Sequence, residues 1–135
     1  EAADLKEAGE RAGMFGCTAE ASSASKFVKE GDTIEVGSIS FRVVDLKGHS
    51  TAGQGFIFEG DFDINGKRET RKAIICGDAL FAGSIGRTDF PGGDLDLLLN
   101  NIRRKIFILP DDTLVMSGHG PVTTVGKEKQ YNPFF

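Results

Sequence analysis

Three short apolar runs in this chain each stop at a glycine turn that carries a metal-ligand type of side chain. Ile39-Ser40-Phe41-Arg42-Val43-Val44 leads to Gly48-His49, Ala73-Ile74-Ile75-Cys76 leads to Gly77-Asp78, and Leu114-Val115-Met116 leads to Gly118-His119. Runs of β-branched and aromatic residues bounded by glycine read as strands, and glycine lets the backbone turn sharply or take a positive φ. A chain patterned this way folds into a sheet whose strand ends present side chains from rigidly held loops. Both histidines of the protein stand in these turns. A single histidine after a strand is more often a satisfied polar residue than a ligand. Three strand-end ligand types in one small chain make His49, Asp78 and His119 a candidate metal site.

The rest of the chain fills in an α+β pattern. Thr33-Ile34-Glu35-Val36 and Ile39 to Val44 alternate across the Gly37-Ser38 turn, which predicts a hairpin with one buried face. Phe56-Ile57-Phe58 and Ala73 to Cys76 predict further strands. Between them, Asp61-Phe62-Asp63-Ile64-Asn65-Gly66 opens like a calcium loop. An EF-hand needs a bidentate Glu where Lys72 stands, so Asn65-Gly66 reads as the turn of an extended hairpin. From Asp94 to Phe107, Leu95, Leu98, Leu99, Ile102 and Ile106 form one apolar helical stripe. Asp94 suits the N-cap, and Arg103-Arg104-Lys105 suits a solvated last turn better than a phosphate site. Residues 1–12 favour a solvated helix or frayed end and residues 13–25 a loop, so 1–25 reads as a lead-in to the folded part, 26–135.

Composition narrows the function classes. The 135 residues make one domain or part of one, with 39% hydrophobic residues, eleven Phe and no Trp. A net charge of −4 argues against a nucleic-acid partner, and no run is long enough for a membrane span. Cys17 and Cys76 form neither a CxxC motif nor a disulfide framework, which makes a reducing cytoplasm the default compartment. Cys76 reads as a small hydrophobe packed in its strand rather than as a ligand.

The segments Ile75-Cys76-Gly77-Asp78-Ala79-Leu80-Phe81-Ala82-Gly83-Ser84-Ile85-Gly86-Arg87-Thr88-Asp89-Phe90-Pro91-Gly92-Gly93-Asp94, Ser117-Gly118-His119-Gly120-Pro121 and Tyr131-Asn132-Pro133-Phe134-Phe135 are dense in specific residues. In order and flanks they resemble the metallo-β-lactamase-fold hydrolases, in particular the single-domain, glyoxalase II-like (hydroxyacylglutathione hydrolase-like) branch. The likeness runs from about Lys29 to Phe135. It implies an αββα sandwich of which this chain supplies the C-terminal portion: one mixed sheet with a covering helix. The family signature of two histidines one residue apart followed by Asp-His is missing, since the chain has only His49 and His119.

What the resemblance implies for function is a two-metal hydrolase of thioesters. His49 would complete the first zinc's histidines, Asp78 would bridge the two zincs as the catalytic carboxylate, and His119 would bind the second. Iron is the alternative metal. With the histidine motif missing, the chain alone is expected to be inactive or very weak. Its partners would be a small-molecule thioester and either the missing N-terminal portion or a second copy, with Phe56, Phe58 and alternate positions of Val43 to Val44 feeding the uncovered sheet face. Two rival readings stand beside this one: a catalytically incomplete assembly module, and a relative of the iron-dependent sulfur dioxygenases.

Two local expectations follow. Leu46-Lys47-Gly48-His49-Ser50-Thr51-Ala52-Gly53 departs from the family pattern by lacking prolines, so this loop is expected to be mobile, His49 loosely placed, and metal binding more dependent on His119 and Asp78. Arg87-Thr88-Asp89 is expected to brace the site from within rather than clamp substrate, and Thr123-Thr124 to satisfy nearby backbone.

Overall fold

The computed structural model describes residues 26–135; the lead-in expected for 1–25, with Cys17, lies outside them. A six-stranded sheet forms the centre. Its strands are β1 (Thr33–Val36), β2 (Ile39–Asp45), β3 (Gln54–Ile64), β4 (Lys67–Gly77), β7 (Leu114–Ser117) and β8 (Thr123–Thr124), lying side by side in that order. Every neighbouring pair is antiparallel except β4 with β7. Between β4 and β7 the chain makes a two-stranded hairpin, β5 (Leu80–Phe81) with β6 (Ser84–Ile85), and then a helix, α1 (Leu95–Asn101). A parallel pair requires a long crossover of this kind. A second helix, α2 (Val125–Tyr131), closes the chain. The architecture is the expected mixed sheet covered by helices.

Alternation along the strands divides the sheet into two faces. Val44, Ile57, Ile74, Cys76 and Val115 share one face and pack with Leu98, Ile102 and Ile106 of the helical segment into a single buried cluster. Fully burying side chains of this size is worth roughly 1.5 to 3 kcal/mol each, so this layer is the main source of cohesion. The other face carries Val43, Phe56, Ile75, Phe58 and Ala73. It is not uniformly wet: Val43 and Ala73 are buried and Phe56 and Phe58 half-buried, while Ile75 is 39% exposed. Phe41, Phe58 and Phe62 continue the face as a row of tilted rings with centroids 4.8 and 6.0 Å apart.

The helix begins where expected, with the Asp94 carboxylate accepting from the Leu97 N–H at 2.9 Å. Two details differ. Leu95 is 45% exposed because it lies in the first turn, before the helix settles on the sheet. The α-helix also ends at Asn101, and Ile102–Ile106 continue as a π turn in which the Phe107 N–H donates to the Ile102 carbonyl. Leu98, Ile102 and Ile106 follow at strict four-residue intervals, which drift by roughly 40° per step in an α-helix. The wider π turn offsets that drift, and all three side chains are fully buried.

The strands around Phe56 and Ala73 are longer than the apolar pattern indicates. They run as paired ribbons to the Asn65-Gly66 turn, where both residues have positive φ (55° and 78°), as a two-residue hairpin of the primed type requires. Asp63 accepts from the Gly66 N–H at 2.8 Å, and Asp61 takes the Thr70 hydroxyl and lies 3.3 Å from Arg68. Those contacts tie two acidic residues of the calcium-like stretch to the hairpin itself.

Cys76 faces the helix and is buried as expected, and burial pushes its thiol from an ordinary 9.0 up to about 11. The folded state therefore keeps a proton that the unfolded chain releases in that interval. Its contribution is complete below pH 9, and about 2 to 3 kcal/mol of stability is lost as pH rises to 11. Urea unfolding at pH 8 and pH 11 should show this loss in the wild type beyond that in Cys76→Ala; equal losses would contradict it.

Candidate metal centre

Strand direction explains why three distant turns meet. β2 and β4 both run antiparallel to β3, and β7 runs parallel to β4, so the carboxyl ends of β2, β4 and β7 lie at one edge of the sheet. Gly77 is the register partner of Ser117, and the Gly118 N–H donates to the Gly77 carbonyl at 2.9 Å. Asp78 and His119 thus leave neighbouring strands together, and His49 arrives from the loop after β2. His49 Nε2 lies 3.9 Å and His119 Nε2 3.8 Å from the same oxygen, Asp78 Oδ2.

These separations bring the three expected residues together but are too long for hydrogen bonds. Among the described residues, no compact group of three or more His, Cys, Asp or Glu side chains forms that could hold a metal ion. The donor set itself, two imidazoles and one carboxylate, is the chemistry that zinc and non-haem iron accept. It fits part of a metal site, with fewer donors than a closed shell.

His49 is held more firmly than its loop sequence suggests. Its Nδ1 pairs with the Arg87 carbonyl at 2.8 Å. Since a carbonyl can only accept, Nδ1 carries a proton, and Nε2 is the ring nitrogen left facing Asp78. The loop is also fastened to α1: the Asp94 N–H donates to the Gly48 carbonyl at 2.7 Å, and the Asn101 amide to the Lys47 carbonyl at 2.9 Å. Gly48, at φ 128°, lies so close to Leu98 that no side chain fits there. The expectation of a loosely placed His49 is therefore corrected, because these hydrogen bonds position the loop and the ring without proline.

Arg87 braces the site as expected. Its guanidinium forms a two-pronged pair with Asp89 at 2.8 and 2.9 Å, and the hydrogen bonds hold the Asp89 carboxyl below its usual range. The guanidinium also lies 5.0 Å from the Phe90 ring centroid, and that ring meets His49 edge-on at 5.4 Å. His119 is held differently. Its side chain is 74% exposed and its ring lies against Phe81, with centroids 4.5 Å apart.

Two glycines make room for the carboxylate and its neighbours. A methyl group at Gly118 would run into Asp78 Oδ1, and one at Gly86 into the Asp78 carbonyl oxygen and close to His49 Nδ1. The parts played by the Arg87 carbonyl and the Phe81 ring escaped the sequence reading, which marks Gly118 as a turn glycine but not what Gly118 and Gly86 make room for. Only the glycine density around Asp78 and His119 hinted at such close packing.

No protein-family model matches the chain. Over 108 residues it is 40% identical to the hydroxyacylglutathione hydrolase GloC of Haemophilus influenzae, covering 80% of this chain and 46% of that protein. Among solved structures it is similar to the BLEG-1 B3 metallo-beta-lactamase, with TM-score 0.74 and 35% identity over 93% of this chain and 56% of that one. It is likewise similar to TTHA1623 in a di-iron-bound form, with TM-score 0.73 and 32% identity over 97% of this chain and 59% of the other. The chain therefore matches metallo-β-lactamase-fold proteins at the superfamily level over part of their length. It spans about half the length of the curated relatives it matches.

The glycine cradle yields a direct test. Gly86→Ala forces backbone against backbone and should cost about 1 to 3 kcal/mol in urea unfolding. Gly60→Ala, which would meet only the Phe58 and Phe62 rings at 3.7 to 3.8 Å, should be close to neutral. Equal midpoints for the two variants would show that the Asp78 turn is free to move aside.

Proposed function

We infer that this chain carries the C-terminal share of a metal-dependent hydrolase site acting on thioesters, with His49, Asp78 and His119 as ligands. The observation that supports this most is the approach of two imidazole Nε2 atoms to one oxygen of Asp78 from the ends of separate strands. The 40% identity to the hydroxyacylglutathione hydrolase GloC favours a thioester substrate over other hydrolysable groups.

A metal held by His49, Asp78 and His119 would supply Lewis acidity and activate water at neutral pH. The chain's own residues prepare for it. His49 offers Nε2 because the Arg87 carbonyl occupies its Nδ1 proton. Asp78 Oδ2 lies within 3.9 Å of both imidazole Nε2 atoms, so its carboxylate would serve both halves of the site. Gly118 keeps the space beside Oδ1 clear. An open cleft lined by His49, Ser50, Gln54, Phe56 and Asp78 lies beside these groups and gives a small substrate access.

The physiological metal is zinc on this reading, with iron as the second possibility because TTHA1623 was solved in a di-iron-bound form. Metal content of the purified chain distinguishes them. Among the described residues no helix is long and apolar enough to cross a membrane.

With three matching ligand positions, the chain alone should hydrolyse S-lactoylglutathione in added zinc far below the ~10 per second typical of enzymes. A rate near that value would sink the view that further ligands are needed. Zinc calorimetry should show His49→Ala losing at least as much affinity as His119→Ala, since His49 is already oriented by Arg87. A clearly smaller loss for His49→Ala would count against its role as a ligand.

A further inference from the structure

Glu128, on α2, is a carboxylate 1% exposed with no cationic partner among the described residues. Neutral donors surround it instead. Its Oε2 accepts from the Gly83 N–H and the Asn132 amide, both at 2.8 Å, and its Oε1 from the Thr123 hydroxyl. Burying a carboxylate is costly unless its lone pairs are satisfied, and α2 is far from needing one for its own formation, since Thr124 already caps it. The arrangement has a target elsewhere. Asn132, itself buried, passes its amide on to the Ser84 carbonyl at 3.0 Å. Together Glu128 and Asn132 grip the β5–β6 turn at Gly83 and Ser84.

That turn carries Phe81, whose ring lies against the His119 imidazole at 4.5 Å with an interplanar angle of 33°. Among the described residues, His119 has no hydrogen bond of the kind that fixes His49 to Arg87. Its direction toward Asp78 therefore rests on the Phe81 ring, and the Phe81 ring rests on the turn.

We propose that Glu128 is a positioning residue for His119: through Gly83 and Asn132 it fixes the turn that holds Phe81 against the imidazole. Glu128 touches neither the cleft nor any candidate ligand. The proposal extends the metal-site reading above, but its geometric part holds in the metal-free chain and is tested there.

Proton NMR of the full chain without metal reads the contact directly. A ring stacked at this distance displaces the His119 imidazole resonances upfield of a free histidine, and Phe81→Leu should abolish the displacement. Glu128→Leu and Asn132→Ala should each lose most of it while the sheet resonances persist. Glu128→Gln should keep it, because a glutamine can accept from Gly83 and Asn132 and donate to the Thr123 oxygen. If Glu128→Leu does not fold, Asn132→Ala, which leaves two of the three donors in place, decides the matter. Full displacement in folded Asn132→Ala and Glu128→Leu would overturn the proposal.

Zinc calorimetry then separates this inference from the one it builds on. Asn132→Ala should weaken zinc binding by about tenfold or more. A wild-type chain that binds no zinc would defeat the metal reading while the NMR result for Glu128 stood on its own. Zinc binding unchanged in Asn132→Ala, with the ring displacement lost, would show that Phe81 does not set the approach of His119 to the metal and would overturn the extension to metal binding.

Discussion

The parallel pairing of β4 with β7 is the constraint on which the rest of the molecule depends. In a sheet otherwise built from antiparallel neighbours, it obliges residues 78–113 to travel from one end of the sheet back to the other. That return path supplies the helix that buries one face and the hairpin that flanks the site. It also makes Gly77 and Ser117 register partners, so that two candidate ligands emerge side by side. β2, separated from β4 by one antiparallel strand, points the same way and delivers the third. Assembly of the site is thus a result of strand direction before any side chain is chosen.

Much of this was legible in the sequence because strands and helix carry strong periodic signals. The apolar runs before His49, Asp78 and His119 marked their strands, Asn65-Gly66 marked its hairpin turn, and Asp94 with its stripe marked the helix. What escaped was set by contacts between distant segments. The extended hairpin that Asn65-Gly66 indicates is present, and what the sequence does not indicate is the full length of its pairing, from Phe56 with Ile75 out to Ile64 with Lys67, with side-chain contacts such as Asp61 with Thr70 across the ribbon. α2 is seven residues long and is fixed by the buried Thr123–Glu128–Asn132 group rather than by an apolar stripe. The loop before His49 was misjudged for the same reason. Local composition lacks the prolines that would fix His49, while its loop backbone is fastened to a helix about fifty residues away along the sequence.

The two imidazoles stand on different physical footings. His49 is oriented by a backbone carbonyl, a partner that substitution of the Arg87 side chain leaves in place. His119 depends on an aromatic side chain and, behind it, on a chain of side-chain hydrogen bonds. The His49 ring is therefore oriented independently of the side chain at position 87, whereas the His119 ring depends on the identity of its neighbour Phe81. Asp78, between them, depends on the absence of side chains at Gly86 and Gly118.

The π turn at Ile102–Ile106 has a consequence for how this part of the chain tolerates length change. A π turn accommodates one residue more than the α-helical turn it replaces while the flanking segments keep their places. The covering helix therefore contains a position where the polypeptide already absorbs a surplus residue. Loss of one residue there would convert the turn to ordinary α-helix with the segments on either side still in register. The same loss within Leu95–Asn101 would rotate Leu98 away from the sheet. Tolerance to deletion is thus concentrated in Ile102–Ile106, and Leu95–Asn101, fastened to the His49 loop through Asp94 and Asn101, has none.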